Sequence, residues 1–177
     1  MKQTLLIITA LMLVFGCSND GVITEYYENG QKRYEGTYNK HGSPDGKATW
    51  YYENGQKRKE RTYKDGKEDG LWTWWHENGQ KLKEETYKDG ELDGKSTYWR
   101  KNGQKEKEKT FKDGKKDGLE TEWYENGQKE AEWTYKDGKL DGLFTYWLRT
   151  GQKYKERTYK DGEELEETYW DKYGNKK

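Results

Sequence analysis

The sequence holds one cysteine, one proline and two histidines. A lone Cys17 excludes an intramolecular disulfide. No second histidine or cysteine recurs near His41 or His76, so no metal-ligand pattern exists and no catalytic constellation forms around either ring. Neither sign of charge is in excess: 34 Lys+Arg face 34 Asp+Glu, interspersed along the whole length. That excludes the basic surface a nucleic-acid binder needs. Aliphatic residues nearly vanish after residue 20. The one long apolar run, Leu5 to Phe15, is too short to span a bilayer as a helix.

What remains is charge and aromatic side chains, 38% and 16% of residues. Charge alone would suit a disordered chain. Disordered chains are poor in aromatics, however, and here the rings stand at fixed offsets. Asn-Gly recurs at Asn29-Gly30, Asn54-Gly55, Asn78-Gly79, Asn102-Gly103 and Asn126-Gly127, and Gly79, Gly103, Gly127 and Gly151 lie 24 residues apart. A fixed period of that length marks a repeat architecture. The period lengthens by one near His41-Gly42-Ser43-Pro44 and shortens by one before Gly174.

Within each copy the aromatic Tyr26, Tyr51, Trp75, Trp99, Trp123, Trp147 or Trp170 stands four residues before the turn glycine, and a threonine two residues earlier. After the turn come a glutamate column (Glu35 to Glu156), a threonine column (Thr37 to Thr158) and then a tyrosine or phenylalanine. Threonine and aromatics favour strands, so each copy reads as two strands. Gly30, Gly55, Gly79, Gly103, Gly127 and Gly151 are the structural turn glycines. The spacing predicts a type I′ hairpin turn with Asn78 and Gly79 both at positive φ. Glu77 then opposes Gln80, Trp75 opposes Leu82, Thr73 opposes Glu84, and Leu71 opposes Thr86. The second turn, Lys88 to Gly94, reads as looser. The expected fold is all-β: an elongated, twisted antiparallel meander of about seven hairpin repeats in a single sheet. About 14 strands spaced ~4.8 Å apart would extend on the order of 65 Å.

Two faces follow from the alternation. One carries the Trp75 and Thr73 columns, with the Trp75 column as core. The other carries Trp50, Trp72, Trp74, Tyr98 and Tyr146, the candidate binding aromatics. That column varies more between copies, with Glu122 as one member. Glu60, Glu84 and Glu108 repeat identically, which is not the unlike carboxyl pair a glycosidase needs. Their reading is structural, opposing threonine or reaching lysine. His76 reads as a position where any residue is accepted. The Asp-Gly loops interleave lysine between their aspartates, unlike a calcium loop. No metal and no cofactor are expected.

The segment from Tyr34-Glu35-Gly36-Thr37-Tyr38 through Asp45-Gly46 to Asn54-Gly55 resembles a MORN repeat, Tyr-x-Gly-x-aromatic followed by a glycine turn and an aromatic strand. Later copies, with Arg61, Glu85, Lys109, Trp133 or Arg157 in place of Gly36, resemble its bacterial variant. The resemblance covers residues 21–177. It implies a non-enzymatic interaction scaffold with a protein partner, and the variant family often carries an antitoxin label. Met1 to Cys17 resembles a bacterial lipoprotein signal. It implies a signal peptide over 1–16, a lipidated Cys17 with a short tether to residue 20, and an exported protein at the outer membrane or cell envelope, held by lipid alone. The aromatic ladder also partly resembles choline- and glucan-binding hairpin repeats, so a glycan is the alternative ligand. The degenerate end after about residue 160 reads as a cap that shields the Tyr135 strand and keeps the protein monomeric.

Overall fold

The computed structural model describes residues 21–177; Cys17 and the segment before it lie outside the described residues. The described residues form one open antiparallel sheet without helices. The first units contribute β1 (Gly21–Tyr26), β2 (Lys32–Tyr38), β3 (Pro44–Tyr51) and β4 (Lys57–Lys64). Then follow β5 (Lys67–Glu68), β6 (Gly70–Trp75), β7 (Lys81–Lys88), β8 (Glu91–Trp99) and β9 (Lys105–Lys112). The last are β10 (Lys115–Lys116), β11 (Gly118–Trp123), β12 (Lys129–Lys136), β13 (Lys139–Trp147), β14 (Lys153–Lys160) and β15 (Glu163–Tyr169). Strand follows strand in chain order, as short hairpins require. β5 and β10 are short pieces that pair only with β4 and β9. The last unit ends in a single bridge, Trp170 to Lys176, in place of a returning strand.

The register matches the sequence expectation at Thr73↔Glu84 and Leu71↔Thr86. It departs at Trp75, which opposes Lys81 across a bulge. The cause lies in the turns. Asn78 does not enter the left-handed region; Gly79 does, at φ 81°. The Gly79 N–H donates to the His76 carbonyl and the His76 N–H to that of Gln80. The connection is therefore a three-residue loop with glycine at its end, which brings its own bulge. Asn78 contributes through its side chain. Its oxygen accepts the Gln80 N–H at 3.1 Å, and its Nδ2 donates to the Lys101 carbonyl in the next turn at 3.3 Å. Asn29, Asn54 and Asn126 reach forward in the same way, to Glu53, Glu77 and Arg149.

The type I′ geometry belongs to the other turn. Asp65, Asp89, Asp113, Asp137 and Asp161 all have positive φ, each followed by a positive-φ glycine. Lys88 and Glu91 close the Asp89-Gly90 pair, a tight two-residue hairpin rather than a loose one. These turns also stack: the Gly90 N–H donates to the Glu68 carbonyl, and the Asp137 N–H to the Asp117 carboxylate at 3.2 Å. The paired aspartates are thus a backbone staple along one edge of the ribbon. Among the described residues no group of three or more His, Cys, Asp or Glu is placed to hold a metal.

After each tight turn the strand bulges. Leu92 opposes Tyr87 and Ser96 opposes Glu85, leaving Asp93-Gly94-Lys95 against Thr86. Gly94 sits at φ 120°, and a Cβ there would lie 3.1 Å from the Thr86 Cβ. In the last unit, where this glycine is missing, Leu165 alone forms the bulge. That accounts for the shortened period. The extra residue near His41 has an equally local cause: Asn39 to Ser43 closes like an Asn-Gly loop, with Gly42 at φ 78°. The cap expectation also needs correcting. β15 covers β14, whereas the Tyr135 strand, β12, is already flanked by β11 and β13.

Candidate functional site

The two faces of the sheet differ in how strictly they repeat. On one, the same four residue types recur in nearly every copy. Thr49, Thr73, Thr97, Thr121 and Thr145 are buried, and Thr97 and Thr121 donate to Glu108 and Glu132 at 3.4 and 3.3 Å. Lys57, Lys81, Lys105, Lys129 and Lys153 each pair with the glutamate three residues on, at 2.5–2.6 Å. The same ammonium groups sit 5.0–5.6 Å from the ring centroids of Trp75, Trp99, Trp123, Trp147 and Trp170. Glutamate thus both opposes threonine and reaches lysine, as the pattern implied. The Trp75 column, expected as core, is only half-buried, because in a single layer nothing packs over it.

Burial penalises the Glu60 charge, but Lys57 and Lys47 outweigh it and hold the carboxyl below its usual value. Lys105 and Lys95 do the same for Glu108. A depressed folded-state pKa contributes stability that is fully present above the unfolded value, ~4.3, and is lost as pH falls through the folded one. Acidification below about pH 4.3 is therefore expected to lower the melting temperature while Lys–Glu pairs break. Circular dichroism melts at pH 7 and pH 3 check this, and equal melting temperatures would contradict it.

The opposite face varies from copy to copy. Its middle column alone runs Gly36, Arg61, Glu85, Lys109, Trp133, Arg157. Glycine at 36 has a physical reason: the Tyr34 ring lies over it, and a Cβ there would meet the Tyr34 hydroxyl at 2.0 Å. Where lysine or alanine replaces that tyrosine, the middle position is free to be large. The face carries most of the deeply buried side chains other than threonine: Tyr34, Ala48, Trp72, Glu85, Ser96, Glu120 and Ala131. The buried carboxylates are satisfied, as they must be. Glu85 accepts from Ser96 and Tyr87, both at 3.0 Å, and pairs with Lys83 at 2.8 Å. Glu120 pairs with Lys116 at 2.6 Å.

All five candidate aromatics lie on this variable face, but they are not equivalent. Trp72 is 4% exposed and stacks near Tyr87, 4.5 Å between centroids, with the Arg61 guanidinium 4.0 Å from its ring. It is a core residue and offers no free face. Trp50, Trp74, Tyr98 and Tyr146 are half-exposed. Lysines stand over three of them: Lys59 over Trp50 at 4.0 Å, and Lys83 over Trp74 and Tyr98 at 5.1 and 5.0 Å. Two open hollows flank the ladder. One, of about 360 Å³, lies between Tyr98, Arg100, Lys107 and Glu122; the other, about 450 Å³, lies at Tyr154 and Trp170.

The six turn glycines Gly30 to Gly151 all have φ of 80–83°. The His76 column, expected to accept anything, has a task at four copies. Tyr27, Tyr52, Arg100 and Tyr124 each donate to the backbone carbonyl of the next copy's aromatic residue, at 2.6–2.8 Å. Burial and the Tyr146 hydroxyl push Tyr124 up to about 12, so it stays a protonated donor. The His76 Nε2 is buried there without a partner. Sequence reasoning missed this staple because tyrosine, arginine and histidine share no letter, only a donor at comparable reach.

The MORN repeat variant model matches six segments: residues 19–40, 44–65, 68–89, 92–113, 116–137 and 140–161. No curated protein matches the chain. The matched segments follow the hairpin period of the sheet and together cover well over half of the sequence. MORN repeats are in general a non-enzymatic repeat type, and this chain belongs to the MORN repeat variant family.

Proposed function

We propose that the chain is a non-enzymatic scaffold that binds another protein through the variable face of its sheet and is held at the bacterial envelope by a lipid on Cys17. One observation carries the binding reading. The repeating face uses the same lysine, glutamate and threonine with an aromatic ring in nearly every copy, while the opposite face changes at nearly every copy. Neighbour stacking needs only sameness. Variation confined to one face is what a surface matched to an irregular partner requires.

The glycan reading has less support. Sugar stacking needs a free ring face, and Lys59 and Lys83 already stand over Trp50, Trp74 and Tyr98. The test is capture of envelope proteins and of glycan matrices by the purified chain. Trp74→Ser with Tyr98→Ser should cut protein capture at least tenfold, and Thr86→Ser on the repeating face should leave it unchanged. Retention on a glycan matrix, lost in the same double variant, would favour the glycan instead.

The anchor is tested separately. Cys17→Ala should move the protein from the membrane fraction to the soluble one, where sedimentation should find a monomer. Membrane retention of that variant, with no fatty acid on the parent chain, would remove the lipid from the account.

A further inference from the structure

Most cations on the variable face have carboxylate partners. Lys83 pairs with Glu85, Lys107 with Glu122, and Lys109 and Lys116 with Glu120. Lys155 pairs with Glu167, and Arg157 with Glu164 and Glu167. Lys59 and Arg61, two residues apart on β4, have no carboxylate within 4.0 Å among the described residues. The sequence shows why. The acids of the other copies come from the middle column and from the facing strands. Around β4 the facing positions hold Ala48, Trp50, Trp72 and Trp74. Aromatic rings stand where the acids would be.

Both charges are set in that aromatic bed. The Lys59 Nζ lies 4.0 Å from the Trp50 centroid, and the Arg61 guanidinium lies 4.0 Å from that of Trp72 and 5.5 Å from that of Trp50. Among the described residues Arg61 makes one side-chain hydrogen bond, from Nη1 to the Tyr63 hydroxyl at 3.4 Å, and its Nε is buried without an acceptor. Burial, with Arg61 and Arg58 nearby, pushes the Lys59 amine down. A planar fork with unfilled donors matches a carboxylate, and low-dielectric surroundings strengthen that contact.

On the reading that the variable face is the binding face, we infer that β4 docks an extended acidic peptide of the partner. One carboxylate fills the Arg61 fork, and a second, two residues away, meets Lys59. Same-face residues in an extended strand are spaced about 6.6–6.8 Å, so side chains at i and i+2 of such a peptide match Lys59 and Arg61 in step. Half-exposed Trp50 and Trp74 flank the pair. An anionic membrane is the poorer match. Such surfaces recruit clusters of about 4–8 basic residues, and apart from neighbouring Arg58 most other cations of this face are paired with carboxylates.

The test uses the full-length chain in mild detergent and fluorescein-labelled peptides, read by anisotropy. One peptide alternates glutamate with serine; a second has the same composition with the glutamates in one block; a third replaces glutamate with lysine. The alternating peptide should bind, weaken with added salt, and bind at least fivefold better than the block. Lys59→Gln and Arg61→Gln should each weaken it at least tenfold. Arg61→Lys, which keeps the charge and loses the fork, should fall between. Lys155→Gln, at a paired lysine, should change it less than twofold. Lys59→Gln replaces a half-buried amine without touching Trp72, so it decides the matter if Arg61→Gln fails to fold. The inference is overturned by absent binding, by equal binding in Lys59→Gln, by equal binding of the lysine peptide, or by phosphatidylserine vesicles displacing the peptide at lower anionic concentration. Unaltered partner capture by Lys59→Gln would overturn this site alone and leave the variable face as the binding surface.

Discussion

Trp72→Ala is expected to destabilise the sheet by about 3–5 kcal/mol, the usual loss for a large buried ring replaced by alanine. Trp72 is the largest buried side chain of the variable face, at 4% exposure. Its ring contacts Tyr87, Tyr63 and Trp74, at centroid distances of 4.5, 5.7 and 5.8 Å. Its Nε1 donates to the Thr62 carbonyl at 3.1 Å, tying β6 to β4 where Asp69 interrupts the strand. Removing it opens a void beneath Arg61, whose guanidinium then loses the ring that covers it. A single layer has no second sheet to collapse into that void, so the cost should fall at the upper end. Chemical denaturation monitored by circular dichroism checks the magnitude. Trp75→Ala is the comparison: its ring is half-buried and should cost clearly less. Equal losses for the two would mean that the repeating face holds the core after all.

Gly94→Val is the second large effect. Valine would have to adopt φ near 120°, which L residues rarely reach, and its Cβ would crowd the Thr86 Cβ at 3.1 Å. Strain and overpacking together should cost roughly 2–5 kcal/mol. Gly79→Val is the milder partner. Gly79 has φ 81°, where its Cβ would meet only the end of the flexible Gln56 side chain. Strain alone then predicts about 1–3 kcal/mol. The bulge glycine should therefore matter more than the Asn-Gly glycine, although the latter is the louder signal in the sequence.

That reversal shows what was legible. The period, the two strands per unit and the Thr73↔Glu84 register follow from alternation and fixed spacing, which a sheet translates directly into neighbours. The turn types did not follow. Asn-Gly is read as a type I′ turn when a hairpin stands alone, but here Asn78 stays out of the left-handed region and bonds to the following turn. Asp89-Gly90 takes the tight geometry because its neighbours staple its N–H groups. The same limit hid the core. Repetition of Trp75 suggested a packed column, yet a column can repeat because it carries a Lys–Glu pair at its side. The buried carboxylate Glu85 depends on Lys83 and Tyr87 of its own strand and on the fully buried Ser96 of the facing one, a combination that appears only once the two strands are paired. Face membership was legible: Trp50, Trp72, Trp74, Tyr98 and Tyr146 do share one face. Which of them is buried was not, because Ala48, Trp72, Ser96 and Glu120 occupy the same column with different volumes.

Each unit is held chiefly by its nearest neighbours, through backbone ladders and stacked turns that reach one copy forward or back. Hydrogen exchange of Gly94→Val, followed peptide by peptide against the parent chain, tests this most directly. The quasi-one-dimensional sheet predicts faster exchange in β7 and β8, a smaller rise in β6 and β9, and unchanged rates in β1 to β3 and β13 to β15. An even acceleration from residue 21 to residue 177 would contradict it.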